Sequence, residues 1–222
     1  MIAAIHREWG EAQGNYDEFR FFTGLRPCEE IALVVADLHL QQDTISVNKS
    51  RVAGILRLST KTGDDRRVFL CPRALSVLKQ QLRLRAELQA AGKINHDHVF
   101  FQKNGHALVN LQYTQTRWRH TLDGLDLRYR RPYCARHSSV SWNLMIGRNP
   151  LWVSKQHGHS VETMLRVYAA WTEGTRPGDV QAIRRAMKQR PRSLTHAAPE
   201  GNRVATATVV PLASNTERDR LH

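Results

Sequence analysis

Apolar residues recur at helical spacing along most of the chain and alternate as in strands over one short region only. Asp17 to Phe22 is amphipathic and helix-compatible, and Thr23-Gly24 breaks it. Pro27 suits a first helical turn, Glu29 and Glu30 suit its positive end, and Ile31, Val34, Val35 and Leu38 continue at helical spacing. The pattern therefore predicts a helix through this segment. Residues 1–14 are short of turn signals and of strong periodicity, and read as the remnant of a preceding segment.

Near Asp43 the texture changes. Thr44 to Val47, Gly54 to Ser59 and Arg67 to Leu70 read as three short strands, with a tight turn at Thr62-Gly63-Asp64-Asp65 between the last two. Pro72 then opens a long helix with Leu75, Leu78, Leu82, Leu84, Leu88 and Ala91 as its apolar face, ending at Gly92. Val99 to Phe101 and the turn at Lys103-Asn104-Gly105 form a short extended piece. Helices are predicted over Leu111–Leu122, Tyr133–Gly147, Pro150–His157, Ser160–Trp171 and Val180–Arg190, with Gly147, Gly158 and Gly174 at helix ends. From Pro191 the chain is rich in Ala, Thr, Ser, Pro and Asn without periodicity, as a flexible tail is. The expected fold is mainly α with one small three-stranded antiparallel sheet. Its expected organisation is a segment 1–14, a domain over 15–175, and a basic helix with tail over 176–222.

The 222 residues carry 33 Lys and Arg against 20 Asp and Glu, a formal net charge of +13, with a pI near 10.4. Nucleic acid is the usual polyanion for such a chain, because each phosphate neutralised by Lys or Arg releases condensed counterions. The distribution strengthens this reading. Between Thr114 and Arg148 there are seven arginines and no lysines, against two acids, Asp123 and Asp126. Arginine makes bidentate phosphate contacts where lysine acts as a point charge. A mean hydropathy of −0.50 and the lack of any run of 18 apolar residues argue against a membrane span. Three cysteines (Cys28, Cys71, Cys134), far apart and odd in number, argue against a disulfide scaffold and fit a reducing compartment. No signal peptide is visible at the start of the chain, and a cytoplasmic location is expected.

Four segments bear chemistry. Thr23-Gly24-Leu25-Arg26-Pro27-Cys28-Glu29-Glu30 places an arginine at a helix start after a glycine turn, where backbone N–H groups and a guanidinium suit a phosphate, although an ordinary capped helix reads the same way. Lys61 lies at the end of a strand, just before a turn. Tyr133-Cys134-Ala135-Arg136-His137 sets Tyr133 and Arg136 on one helix face. Gly158-His159 is followed, nine residues after the histidine, by Tyr168. Each is weak alone, but their order and spacing resemble the catalytic domain of the tyrosine recombinase (phage integrase) family: T-G-L-R-x-x-E, a lysine on a β-hairpin, H-x-x-R, then G-H and a tyrosine. The resemblance runs from about Asp17 to Trp171. It departs at one place, where Tyr133 holds the first position of H-x-x-R and the histidine, His137, lies one residue beyond the arginine. A tyrosine there can hydrogen-bond a phosphate oxygen, but with an ordinary pKa of about 10 it is a poor base at neutral pH.

The resemblance implies DNA strand cleavage and rejoining by a site-specific recombinase. Tyr168 is the implied nucleophile that forms a 3′-phosphotyrosyl link. Arg26 and Arg136 are the phosphate clamp, Lys61 the acid for the leaving 5′ oxygen, and His159 either a hydrogen bond to the phosphate or a help in moving the tyrosyl proton, with Tyr133 in the remaining site position. Arg117, Arg119, Arg128, Arg130, Arg131 and Arg148 are expected against the DNA backbone. No metal or other cofactor is implied, because no Asp, Glu, His and Cys cluster stands at ligand spacing. The implied partners are double-stranded DNA and further copies of the chain in a tetrameric synapse, with a bacterial or phage origin and no membrane. The helix near Val180 then docks on a neighbouring protomer, although a solvated basic helix has the same sequence character. Family members carry a helical core-binding domain ahead of the catalytic one. Here the T-G-L-R segment begins at residue 23, so a truncated integrase is expected. A non-catalytic DNA-binding remnant or regulator on the same fold, and a type IB topoisomerase-like relaxing enzyme, are the competing readings.

Overall fold

The computed structural model describes residues 1–58, 65–173 and 176–189. Lys61, the turn residues 62–64, Gly174 and the predicted tail from Pro191 lie outside the described residues. Residues 1–14, short of periodicity in sequence, fold into helix α1 (Ile2–Trp9) and the first turn of α2 (Glu11–Thr23). Ile5 is fully buried against Trp118, Leu122 and Ala135. The short helix α3 spans Pro27–Glu30. The predicted continuation through Ile31 to Leu38 is not helical. Ile31, Ala32 and Leu33 are all buried, which a one-faced helix does not allow, and a 3₁₀ turn at Val35–Asp37 leads into strand β1 (Leu38–His39).

The three-stranded antiparallel sheet exists, with different members from those expected. Its order is β1, β2 (Thr44–Val47), β5 (Arg66–Phe69), and Ile45 faces Val68 across β2 and β5, both fully buried. The predicted middle strand is instead β4 (Ile55–Arg57), paired with β3 (Ser50–Val52) in a separate two-stranded ribbon. Ala53 and Gly54 both take positive φ, 50° and 81°, the signature of a tight two-residue hairpin that turns β4 straight back on β3. All of β4 is exposed, so no core face draws it into the larger sheet. Lys61 therefore lies in the segment between β4 and β5, which belong to different sheets.

The remaining elements fall where the pattern placed them: α4 (Pro72–Ala90), α5 (Gln112–Gly124), α6 (Cys134–Met145), α7 (Pro150–His157), α8 (Val161–Glu173) and α9 (Pro177–Lys188). The main core joins α2, the sheet and α4 through Tyr16, Phe19, Ile45, Val68, Val77 and Leu78. On α4 the buried stripe is Ala74, Val77, Leu78, Gln81 and Arg85, with Leu75 and Leu82 at its edge. A second cluster, Val140, Val153, Met164 and Tyr168, ties α6, α7 and α8 together. Helix α9 packs within its own chain, burying Ile183 and Met187, while Arg184 donates to the Ile146 carbonyl. Among the described residues no helix is long and apolar enough to cross a membrane, and all three cysteines are free.

Candidate active site

The site begins where α2 stops. Gly24 ends that helix at φ 65°, and a Cβ on it would stand 2.3 Å from the His157 ring. Both the left-handed backbone and the close approach require glycine. Arg26 follows at the start of α3, and Glu29 returns to it as in a capping box: its Oε2 accepts the Arg26 amide at 2.9 Å and its Oε1 the Arg26 Nη1 at 2.7 Å. The amide that the sequence offered to a phosphate is thus taken by Glu29. From β5, Arg66 grips the same carboxylate with both guanidinium nitrogens, at 3.0 and 2.6 Å. Burial raises the Glu29 pKa, but hydrogen bonds from Arg66 and the charges of Arg66 and Arg26 outweigh it and hold the group near 2. Arg26 also donates to the Gly158 carbonyl at 2.7 Å, across the cleft between α3 and the end of α7.

Arg136, on the first turn of α6, is fully buried. Its Nη1 donates to the Gly24 carbonyl at 2.6 Å, its Nη2 to the His157 carbonyl, and its Nε to His159 Nε2 at 3.3 Å. All three acceptors are neutral, and among the described residues no carboxylate pairs with it. Burial, with Arg26 and Arg66 nearby, depresses its pKa to about 10, so it remains charged at neutral pH. Because His159 Nε2 accepts from Arg136, its ring proton belongs on Nδ1, a buried atom with no hydrogen-bond partner among the described residues. His157 is fixed in the same tautomer. Its Nδ1 faces the Val153 carbonyl at 3.0 Å and so carries the proton, while Nε2 faces the Ser139 hydroxyl at 3.0 Å. Burial first, then Arg136, push both imidazoles down to a pKa of about 3.

Tyr168, on α8, is 2% exposed and lies in the α6–α7–α8 cluster. Desolvation lifts its hydroxyl to a pKa of about 12. The ring lies 6.2 Å from that of His159, and its hydroxyl meets His137 Nδ1 at 2.5 Å. Tyr133, just before α6, is 38% exposed and stands edge-on to His137 at 5.2 Å. It lines a cavity of about 590 Å³ that it shares with Arg20, Arg26, Tyr129 and Arg131. A second cavity, about 600 Å³, lies on the other flank between Arg66, Phe69, Trp152 and His159.

The fold therefore brings Arg26, Arg136, His159, Tyr133 and Tyr168 together. Of the arginines expected on DNA, Arg131 is on the first cavity, and Arg148 stacks over Trp152 beside the second. Arg117 lies over Tyr113 and Trp9, Arg119 over Tyr129, and Arg128 and Arg130 line a third cavity with Phe21 and Trp118. Three site residues escaped the sequence reading. Arg66 has no sequence pattern around it, and His157 and Ser139 sit among ordinary helical residues. Among the described residues no cluster of His, Cys, Asp or Glu could hold a metal.

The profile of the phage integrase family matches residues 15–174, and the chain belongs to that family. No curated protein matches it in sequence. Among solved structures it is similar to the Tn1549 transposon integrase in complex with transposon right end DNA (TM-score 0.64, 15% identity, covering 83% of this chain and 61% of that one). It is also similar to the XerA recombinase (0.60, 18%, 82% and 59%). A third likeness is to XerH bound to palindromic difH substrate in a post-cleavage complex (0.57, 19%, 82% and 49%). The fold is that of a tyrosine recombinase catalytic domain. The chain spans roughly half to three fifths of the length of these relatives.

Proposed function

We propose that this protein is a site-specific DNA recombinase that cleaves and rejoins strands through a 3′-phosphotyrosyl intermediate. The observation that carries this reading is Arg136, a fully buried guanidinium held, among the described residues, only by neutral acceptors. A buried cation without a carboxylate is suited to an anion that arrives from outside. With Arg26 alongside, the site answers the charge that grows on a phosphodiester's non-bridging oxygens during substitution. The unpartnered Nδ1 of His159 supplies a further donor. In the reaction the Tyr168 Oη–P bond forms as the P–O5′ bond breaks, the tyrosyl proton leaves, and the 5′ oxygen gains one. By family resemblance Lys61 gives that proton. The phosphoester is kept as a covalent link, so the 5′ hydroxyl reverses the step without an outside energy source.

In this reading residues 15–175 form the catalytic domain. Double-stranded DNA is the substrate, several copies assemble on it in a tetrameric synapse, and the reaction takes place in the cytoplasm. The DNA complexes of the structural relatives support the choice of substrate. The test is adduct formation on a nicked duplex, resolved on a denaturing gel. The unaltered chain should become covalently linked, and Tyr168→Phe should bind the duplex but form no adduct. Salt-sensitive binding by the unaltered chain with no adduct at all would instead assign a non-catalytic DNA-binding role on the same fold.

A further inference from the structure

The phenol of Tyr168 holds its proton at neutral pH and must lose it to attack phosphorus, so some group has to receive it. Two imidazoles flank it, His137 and His159, and His157 is stacked against His159 at 6.4 Å. His159 Nε2 is engaged by Arg136 and its Nδ1 is protonated, and His157 is spent on Val153 and Ser139. His137 remains. It directly follows Arg136 on α6, and one residue of helix turns a side chain by about 100°. That turn carries Arg136 inward to Gly24 and His157 and brings His137 Nδ1 to within 2.5 Å of the Tyr168 hydroxyl. The imidazole lies between two aromatic rings, edge-on to Tyr133 at 5.2 Å and tilted against Tyr168 at 5.8 Å.

We infer that His137 accepts the Tyr168 hydroxyl proton during strand cleavage and returns it during rejoining, with Tyr133 as its positioning residue. The inference rests on the recombinase reading above. The imidazole that the family pattern places three residues before the arginine is here supplied one residue after it. In the forward step the Tyr168 O–H bond breaks toward Nδ1 as Oη–P forms and P–O5′ breaks. In the reverse step the imidazolium protonates the departing phenolate as the 5′ hydroxyl attacks phosphorus and returns its proton to the group that protonated it in the forward step. His137 is exposed, so its proton can exchange with water between the two steps. Burial and the Arg136 charge keep the free imidazole below its ordinary pKa, which leaves it unprotonated and able to accept at neutral pH.

The test uses the full chain and nicked duplexes enriched by it from a random-sequence pool, made with either oxygen or sulfur at the bridging 5′ position. A thiolate leaves without protonation, so the sulfur duplex bypasses the acid and leaves the base exposed. His137→Asn should slow adduct formation about 100-fold on both duplexes. Equal rates for His137→Asn and the unaltered chain overturn the inference. So does a defect that vanishes on sulfur, because His137 then serves the leaving group. No adduct from the unaltered chain on either duplex overturns the recombinase reading itself, a separate outcome. Nitrogen NMR of the DNA-free chain, with labelled histidines, provides a check that needs no turnover. Tyr168→Phe should move His137 Nδ1 from a hydrogen-bonded to a free imine position, and a proton already resident on Nδ1 in the unaltered chain overturns the direction of transfer.

Discussion

At the scale of single residues, the site depends on one position with no side chain. Gly24 combines a left-handed backbone with a 2.3 Å approach to the His157 ring, so Gly24→Ala must displace either the turn or the imidazole. A loss of about 2–4 kcal/mol is expected, combining backbone strain with overpacking, and a fall in thermal midpoint with loss of adduct formation would be the measured result. His157 sets a pH dependence of known sign. Its native pKa of about 3 lies below the ordinary 6.5, so the unfolded chain binds the extra proton and stability is lost as pH falls below about 6.5. The contribution between pH 7 and pH 5 is about 2 kcal/mol. Glu30 and Asp17, buried beside Arg20 with raised pKa values of about 8 and about 6, act in the opposite sense. The difference between the unaltered chain and His157→Gln, measured by denaturant unfolding at both pH values, isolates the histidine. Arg26, Arg136, His159 and Tyr168 were legible because the family's spacing marks them. Arg66, His157 and Ser139 were not, and His137 was visible only as a histidine out of register, since their contacts are made across the fold, which spacing along the chain does not encode.

At the scale of elements, the legible parts were those with a single buried face. Helix α4 was marked by Leu75, Leu78 and Leu82, which pack in the main core, and α7 was bounded by Pro150 and Gly158 as predicted. The segment Ile31–Leu38 misled because Ile31, Ala32 and Leu33 are buried in succession, so spacing could not separate helix from irregular core. The strands misled because β1 has only two residues and because Ala53, in a conformation alanine rarely adopts, gives no turn signal. The open edge of β5 is closed by a side chain rather than a strand. Gln156 accepts the Phe69 amide at 3.0 Å and donates to the Phe69 carbonyl at 2.8 Å, joining the sheet to α7 one residue before His157. Gln156→Ala removes both bonds and should cost about 1–3 kcal/mol. Hydrogen exchange at the Phe69 amide should accelerate in that variant. Protection unchanged from the parent would show that the strand is held by its pairing with β2 alone.

At the scale of the whole molecule, charge and fold class were legible from composition and periodicity, while the places of helices α1 and α9 were not. Helix α1 looked featureless because its partners, Trp118 and Leu122, lie more than a hundred residues away, and α9 read equally as a helix docked on a neighbouring protomer or a solvated one, although Ile183 and Met187 are buried within its own chain. Arg136 has a consequence at this scale as well. Its charge sits in the interior against neutral acceptors, so the folding free energy of the entire chain is coupled to whatever anion reaches it. Sulfate or phosphate at 100 times its dissociation constant should add about 2.7 kcal/mol, which for a chain of this size is a rise of roughly 5–10 °C in midpoint. A chloride series at matched ionic strength removes the contribution of screening. Arg136→Gln should flatten the sulfate response, and a response that survives the substitution would place anion binding elsewhere. An anion at this position acts on folding as an added core side chain would, so the same guanidinium that is proposed to recognise a phosphate also makes the cohesion of the protein a readout of its ligand.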